Sequence, residues 1–311
     1  MKIQILKGNC IETLQKLDDE SINTCITSPP YWGLRNYNDE EKQLGMEDTP
    51  EEFVDNLVKV FREVKRVLRD DGTVWLNLGD SYSSGGRTTT TNQSLRGNKD
   101  YGVTRPKPSK GIKPKDLIGI PWRVALALQQ DGWYLRQDII WHKPNPMPES
   151  VKDRCTKAHE YIFLLSKNVK YHFDNEAIKE DSKYHGKDKR SDKGNIRYEG
   201  KRTSNKDTKA QQSFVTINPK KNKRSVWTIT TKPFKGAHFA TFPKDLIEPC
   251  VLAGCPEGGT VLDPFGGSGT TGIVAVNHNR HAVLCELNQE YIDLAKDRIN
   301  QEGGMFVDIT E

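Results

Sequence analysis

Apolar residues along the chain recur with two periods, and the periods alternate. Short β-branched runs, each framed by polar or turn-forming residues, predict strands over 2–6, 22–26, 73–78, 134–141, 160–165, 226–230, 260–262 and 281–285. Between them, spacings of three and four predict helices over 10–17, 50–68, 121–130, 243–253 and 270–278, and a last one from Gln289. The helix after Thr49 has the fullest signature. A capping residue is followed by Pro50, Glu51 and Glu52, then by Phe53, Leu57, Val60, Phe61, Val64, Val67 and Leu68 on one face, and Asp71-Gly72 stops it. Strands alternating with helices predict an α/β domain with a mostly parallel sheet flanked by helices.

Two stretches break the pattern. Residues 83–115 are rich in Gly, Ser, Thr, Lys and Pro and read as a flexible loop. No hydrophobic period survives through most of residues 173–225, which read as an insertion between a first part (1–172) and a second part (226–311) of the α/β domain. The charge is concentrated there. The chain carries a net +5, but residues 179–224 hold fifteen Lys/Arg against six Asp/Glu, an excess of nine that leaves the remainder at −4. A basic field on a mildly acidic body suits a polyanion, and Lys187, Lys189, Arg190, Arg197, Lys201 and Arg202 are its candidate contacts. With 311 residues, 34% of them hydrophobic, there is material for one large core. No apolar run approaches the ~18 residues of a membrane span, and MKIQILKGNC lacks a signal peptide's apolar centre. The six cysteines are scattered, several inside strand-like runs, which fits reduced thiols in a cytoplasmic protein.

The first chemical motif is Thr27-Ser28-Pro29-Pro30-Tyr31-Trp32, directly after a predicted strand. Two prolines end the ladder, since proline lacks an N–H and restricts the residue before it. The Ser28 and Pro29 carbonyls are thereby held rigidly as free acceptors, and Tyr31 offers a flat ring. Rigid acceptors beside a stacking surface suit a heterocycle bearing an exocyclic amine. The second motif runs from Thr260 through Asp263-Pro264-Phe265-Gly266-Gly267-Ser268-Gly269-Thr270-Thr271-Gly272: strand, glycine turn, helix, with Glu286 ending the next strand. Glycines that admit a close approach and an acid placed for ribose hydroxyls describe a nucleoside-containing cofactor. An NAD-linked oxidoreductase would carry the same turn. Asp263, however, puts a carboxylate where pyrophosphate would lie and would suit a cationic ligand such as a sulfonium. No metal is called for: Pro249-Cys250 is followed by Cys255 at the wrong spacing for a zinc deaminase.

Together these stretches resemble the β group of amino-methylating DNA methyltransferases, with (Asp/Asn/Ser)-Pro-Pro-(Tyr/Phe/Trp) first and Phe-x-Gly-x-Gly last. The resemblance covers residues 1–82, 119–172 and 226–300. It implies a Rossmann-like fold in circularly permuted motif order, S-adenosyl-L-methionine as cofactor, and double-stranded DNA as substrate. It further implies catalysis at Ser28, Pro29, Pro30 and Tyr31, and cofactor contacts from Asp263, Phe265, Gly267, Ser268, Gly269, Thr270 and Glu286. Gly8-Asn9-Cys10 is similar to a segment beside the adenine, although Asn9 replaces the usual acid, and Phe242 belongs to a stretch (238–243) that encloses methionine. The insertion 173–225 corresponds to the target-recognition region. Serine at the head of the first motif favours cytosine N4 as the methylated atom, with adenine N6 as the alternative. A cognate restriction endonuclease is an expected partner. A DNA-binding protein without turnover is a further alternative, though both motifs look intact.

Overall fold

The computed structural model describes residues 1–33, 43–83, 112–182, 219–231, 242–303 and 307–310. They form two units, one of residues 1–174 with 224–311 and one of residues 175–223. In the second unit the described residues make a two-stranded antiparallel ribbon of β6 (Glu180–Asp181) and β7 (Lys220–Lys221). The loop expected over 83–115 lies mostly outside the described residues. So do Lys187, Lys189, Arg190, Arg197, Lys201 and Arg202, together with most of the 238–243 stretch.

The first unit is built on one sheet. In chain order its strands are β1 (Lys2–Lys7), β2 (Ile22–Thr27), β3 (Leu68–Leu78), β4 (Tyr134–His142), β5 (His159–Ser166), β8 (Val226–Thr228), β9 (Thr260–Asp263), β10 (His281–Glu286) and β11 (Asp308–Thr310). They are arranged β11-β1-β10-β9-β2-β3-β5-β4-β8. From β11 to β3 every pairing is parallel; β5 runs antiparallel to both β3 and β4. The mostly parallel sheet is as expected. The antiparallel strand has a simple cause: no helix among the described residues separates β4 from β5, so the chain doubles back instead of crossing over. The last strand, β11, was not expected. It is three residues long and borrows its register from β1, so its own pattern is too short to read.

Helix α2 (Pro50–Val67) follows its signals. Thr49 accepts from the Glu52 N–H at 3.2 Å, and Phe53, Leu57, Val60, Phe61 and Val64 are all fully buried. Burying a face of that size is worth roughly 1.5–3 kcal/mol per large side chain. On the same side α3 (Ile120–Gln130) starts at Gly119, in a left-handed conformation at φ 78°. The Asp80 carboxylate accepts from the N–H groups of Gly119 (3.0 Å) and Ile120 (3.2 Å), so this acid caps a helix. The opposite face is covered by α4 (Lys244–Gly254), α5 (Thr270–Asn277) and α6 (Gln289–Glu302). Helix α4 comes very close: a Cβ on Gly254 would stand 2.5 Å from the Trp75 indole nitrogen and 2.9 Å from Thr24 Oγ1.

Function follows from one feature of this order. Strands β9 and β2 are parallel neighbours, with Thr24 opposite Val261 and Cys25 opposite Leu262. From β9 the chain winds through α5 to β10 on one side; from β2 it winds through α2 to β3 on the other. Between them lies the point where the winding reverses, and the crevice outside the carboxyl ends of such a strand pair is the usual ligand site of an open α/β sheet.

Candidate active site at the β2/β9 switch point

The two motifs, 236 positions apart at Thr27 and Asp263, end these two strands side by side. Their link is a buried hydrogen-bond bridge. Asp263 Oδ1 accepts from Thr27 Oγ1 at 2.6 Å and from the Phe265 N–H at 3.1 Å, while Oδ2 accepts from Thr271 Oγ1 at 2.7 Å. Thr27, Asp263 and Thr271 are all 0–1% exposed. Asp263 therefore does not present its charge to a cationic ligand, as its place in the motif suggested. Both oxygens serve the turn, because a buried carboxylate without partners would be too costly. Desolvation raises its carboxyl to about 6, against the three hydrogen bonds that act to lower it.

Beyond Asp263 the chain turns through Gly267 (φ 49°) and Gly269 (φ 78°), conformations that favour glycine. Gly266 lies so close to β10 that a Cβ there would stand 2.9 Å from Leu284 Cβ. Glu286, at the end of β10, accepts from the Gly267 N–H at 2.8 Å and the Asn288 N–H at 2.9 Å. It remains partly exposed, and a carboxylate bound by two donors keeps acceptor capacity for a ligand. Burial pushes its carboxyl up, opposed by these backbone N–H groups. Phe265 is partly buried against the core.

The side chains of three expected cofactor contacts make hydrogen bonds within the protein. Ser268 and Thr270, 3% and 4% exposed, both receive the Arg298 guanidinium, Ser268 Oγ at 2.7 Å and Thr270 Oγ1 at 3.2 Å. Their side chains fasten the turn to α6. Asn9 Oδ1 caps α1 (Cys10–Leu14) by accepting from the Ile11 N–H at 2.9 Å, although the neighbouring Gly8 N–H reaches the Glu286 carbonyl at 3.0 Å. Arg298 was not singled out from sequence; an arginine in the middle of a helix reads as solvated surface. Phe242 is half-buried just before α4.

At the end of β2, Ser28, Pro30 and Tyr31 are half-buried and Pro29 is buried. The loop is held from behind: Trp32 Nε1 donates to the Glu47 carbonyl at 2.9 Å, and the Gly33 N–H to the Gly45 carbonyl at 2.9 Å. Tyr31 does more than offer a ring. Its hydroxyl donates to Glu160 Oε2 at 2.8 Å, and burial, followed by that carboxylate, pushes the phenol well above its ordinary range, so it stays protonated. In the sequence Glu160 reads as one half of a His159-Glu160 strand-edge pair satisfied locally, because its strand position says nothing of partners across the sheet. In the sheet it stands opposite Trp141, a register that appears only once β4 and β5 are paired. Five of the six cysteines are buried, and burial pushes Cys10, Cys255 and Cys285 up to about 12, as suits inert packing thiols.

The Asp263 bridge generates a prediction with a definite sign. A carboxyl whose folded value is raised, here from 3.8 to about 6, favours the fold when protonated. Its stabilising contribution is complete below pH 4 and is lost as pH rises through about 6. Relative to Asp263→Asn, the wild-type protein should gain about 1 kcal/mol of stability between pH 7.5 and 5. Denaturant titrations of both proteins across that range check this. A stability difference that stays flat would mean that the carboxyl is not perturbed.

Comparison with known proteins agrees with this geometry. A family of sequences described as DNA methylase, of the N6/N4 methyltransferase type, matches residues 22–297. The type II methyltransferase M.SmaI of Serratia marcescens is 50% identical over 297 residues, covering 95% of this chain and 90% of its own. M.Cfr9I of Citrobacter freundii, also a type II methyltransferase, is 46% identical over 96% of this chain and 88% of its own. Among solved structures, the cytosine-N4-specific PvuII DNA methyltransferase superposes with a TM-score of 0.63 at 20% identity, covering 96% of this chain and 86% of its own. A Thermus thermophilus protein described as a putative DNA modification methylase, complexed with S-adenosyl-L-methionine, gives 0.60 at 23% identity over the full length of both. The chain belongs to the N6/N4 family of DNA methylases.

Proposed function

We propose that this DNA amino-methyltransferase methylates the exocyclic N4 of cytosine within a specific site of double-stranded DNA. The observation that carries the choice is serine at position 28, where the family's adenine enzymes commonly have aspartate. A hydroxyl can accept from an amine or donate to the ring nitrogen beside it, whereas an ionised carboxylate only accepts. The cytosine-N4 specificity of the PvuII enzyme, which shares the fold, is in line with this reading.

The residues at the switch point fit S-adenosyl-L-methionine. Gly267 and Gly269 leave the turn open to close approach, and Glu286 keeps acceptor capacity for ribose hydroxyls. When bound, the cofactor supplies an electrophilic methyl group. An aromatic exocyclic amine is a poor nucleophile because its lone pair is delocalised into the ring. Acceptors at Ser28 and the Pro29 carbonyl, aimed at the two amine hydrogens, favour a pyramidal nitrogen whose lone pair is free to attack. Tyr31 stacks on the base, and preorganised placement of this kind carries most of the rate. The amine is inaccessible in a duplex, so the base is flipped out at a cost of a few kcal/mol. Residues 173–225 are assigned to target recognition and phosphate contact, and a restriction endonuclease of the same specificity is the natural partner of an enzyme with type II relatives.

Mass spectrometry of nucleosides from plasmid treated with the enzyme should show N4-methylcytosine; N6-methyladenine alone would overturn the base assignment. Each phosphate neutralised contributes about 0.9 to the slope of log K against log salt. Deleting residues 185–210 should flatten that slope and leave cofactor affinity intact, whereas an unchanged slope would put the phosphate contacts elsewhere.

A further inference from the structure

Glu160 belongs to neither motif, yet several side chains converge on it. Its Oε2 accepts from Tyr31 Oη at 2.8 Å and from Asn77 Nδ2 at 3.3 Å, and its Oε1 receives the Lys143 ammonium. The Glu160 and Lys143 side chains are only 15% and 18% exposed, so neither would sit there unpaired without a large desolvation cost. The groups behind the carboxylate are themselves fixed. Asn77 also donates to the Tyr161 carbonyl at 3.1 Å. Lys143 lies over the Trp141 ring, 4.2 Å from its centroid, and the Trp141 indole donates to the Ile229 carbonyl at 2.9 Å.

Tyr31 itself lies on a loop, not on a strand. Its ring presses against Gly79, where a Cβ would stand 2.6 Å from Tyr31 Cε2. Only glycine leaves room for the ring in this position. A stacking surface must hold its plane, and a tyrosine in a loop has two side-chain torsions to lose. Contact with Gly79 limits one motion; a tether at the hydroxyl limits the other.

The geometry points to Glu160 as a positioning residue for methyl transfer: anchored by Lys143 and Asn77, it tethers the Tyr31 hydroxyl and holds the ring, against Gly79, in the plane on which the target base stacks. This rests on the reading of Tyr31 as the base-stacking ring. Glu160 acts through Tyr31 and has no contact of its own with the base.

The test compares Glu160→Gln/Lys143→Met, Glu160→Ala, Tyr31→Phe, Tyr31→Ala and the Glu160→Ala/Tyr31→Phe double variant in the full chain. Turnover on DNA and calorimetric binding of S-adenosyl-L-methionine are both measured. Glu160→Ala and Tyr31→Phe should each lower kcat about tenfold with cofactor Kd unchanged, and the double variant should be no worse than either, because one hydrogen bond is lost in all three. Glu160→Gln/Lys143→Met, in which the amide oxygen can accept the Tyr31 bond and no ammonium faces the amide NH2, should stay within about threefold of wild type. Losses that multiply in the double variant, a Gln variant as poor as Ala, or a cofactor Kd that weakens in parallel would each overturn the tether. If Glu160→Ala leaves Lys143 unpaired and fails to fold, Glu160→Leu with Lys143→Met replaces the pair by apolar volume and should show the same loss. Tyr31→Ala separates the two levels. Full activity there removes the stacking reading itself; an inactive Tyr31→Ala beside a fully active Glu160→Ala removes only the tether.

Discussion

The Asp263 carboxylate, held by the hydroxyls of Thr27 and Thr271, is the contact on which the site depends. One partner ends β2 and the other lies in the first turn of α5, so a single acid joins β2, β9 and the helix after the glycine turn. Main-chain pairing between β9 and β2 covers only two residue pairs, Thr24–Val261 and Cys25–Leu262. The side-chain bridge extends that contact to the carboxyl ends, where both sequence motifs lie. Its cost appears in the raised carboxyl of Asp263: the protein keeps a poorly solvated acid in order to fix the relative position of two loops.

Around that bridge the same device recurs: an acid at or near a strand end gathers backbone N–H groups or a neighbouring side chain. Glu286 takes the Gly267 and Asn288 amides, Asp80 takes the start of α3, and Glu160 takes the Tyr31 hydroxyl. Each acid holds a segment that leaves the sheet, and such segments have no ladder of their own. Preorganised placement is what an amine methylation asks of a protein, since the reaction needs acceptors and a ring held in position and no covalent intermediate.

Much of this was legible in the sequence. The alternation of periods predicted the parallel sheet and its flanking helices, and Thr49-Pro50-Glu51-Glu52 marked the start of α2 to the residue. Both motifs announced themselves because proline and glycine constrain the backbone locally. What sequence could not supply were partners across the sheet. Asp263 looked like a ligand-facing charge, and only the strand order shows Thr27 beside it. Nor does the sequence show that Arg298 bonds the side chains of Ser268 and Thr270, or that Asn9 Oδ1 accepts from the Ile11 N–H. Glu160 reads in sequence as half of a locally satisfied His159-Glu160 pair, whereas its partner is Tyr31, 129 positions away and 2.8 Å from it. Local constraint can be read from neighbours in the chain, whereas a side chain's use depends on neighbours in space.

In the proposed mechanism the carboxyl ends of β2 and β9 form one site where base and methyl donor meet. A crystal structure with a non-reactive S-adenosyl-L-methionine analogue and a duplex containing the target sequence tests it most directly. The expected result is an extrahelical base on the Tyr31 ring, its exocyclic amine within hydrogen-bond distance of Ser28 and the Pro29 carbonyl, and the analogue's ribose hydroxyls at Glu286. A base stacked within the duplex, or bound away from Ser28 while the analogue occupies the glycine turn, would contradict it.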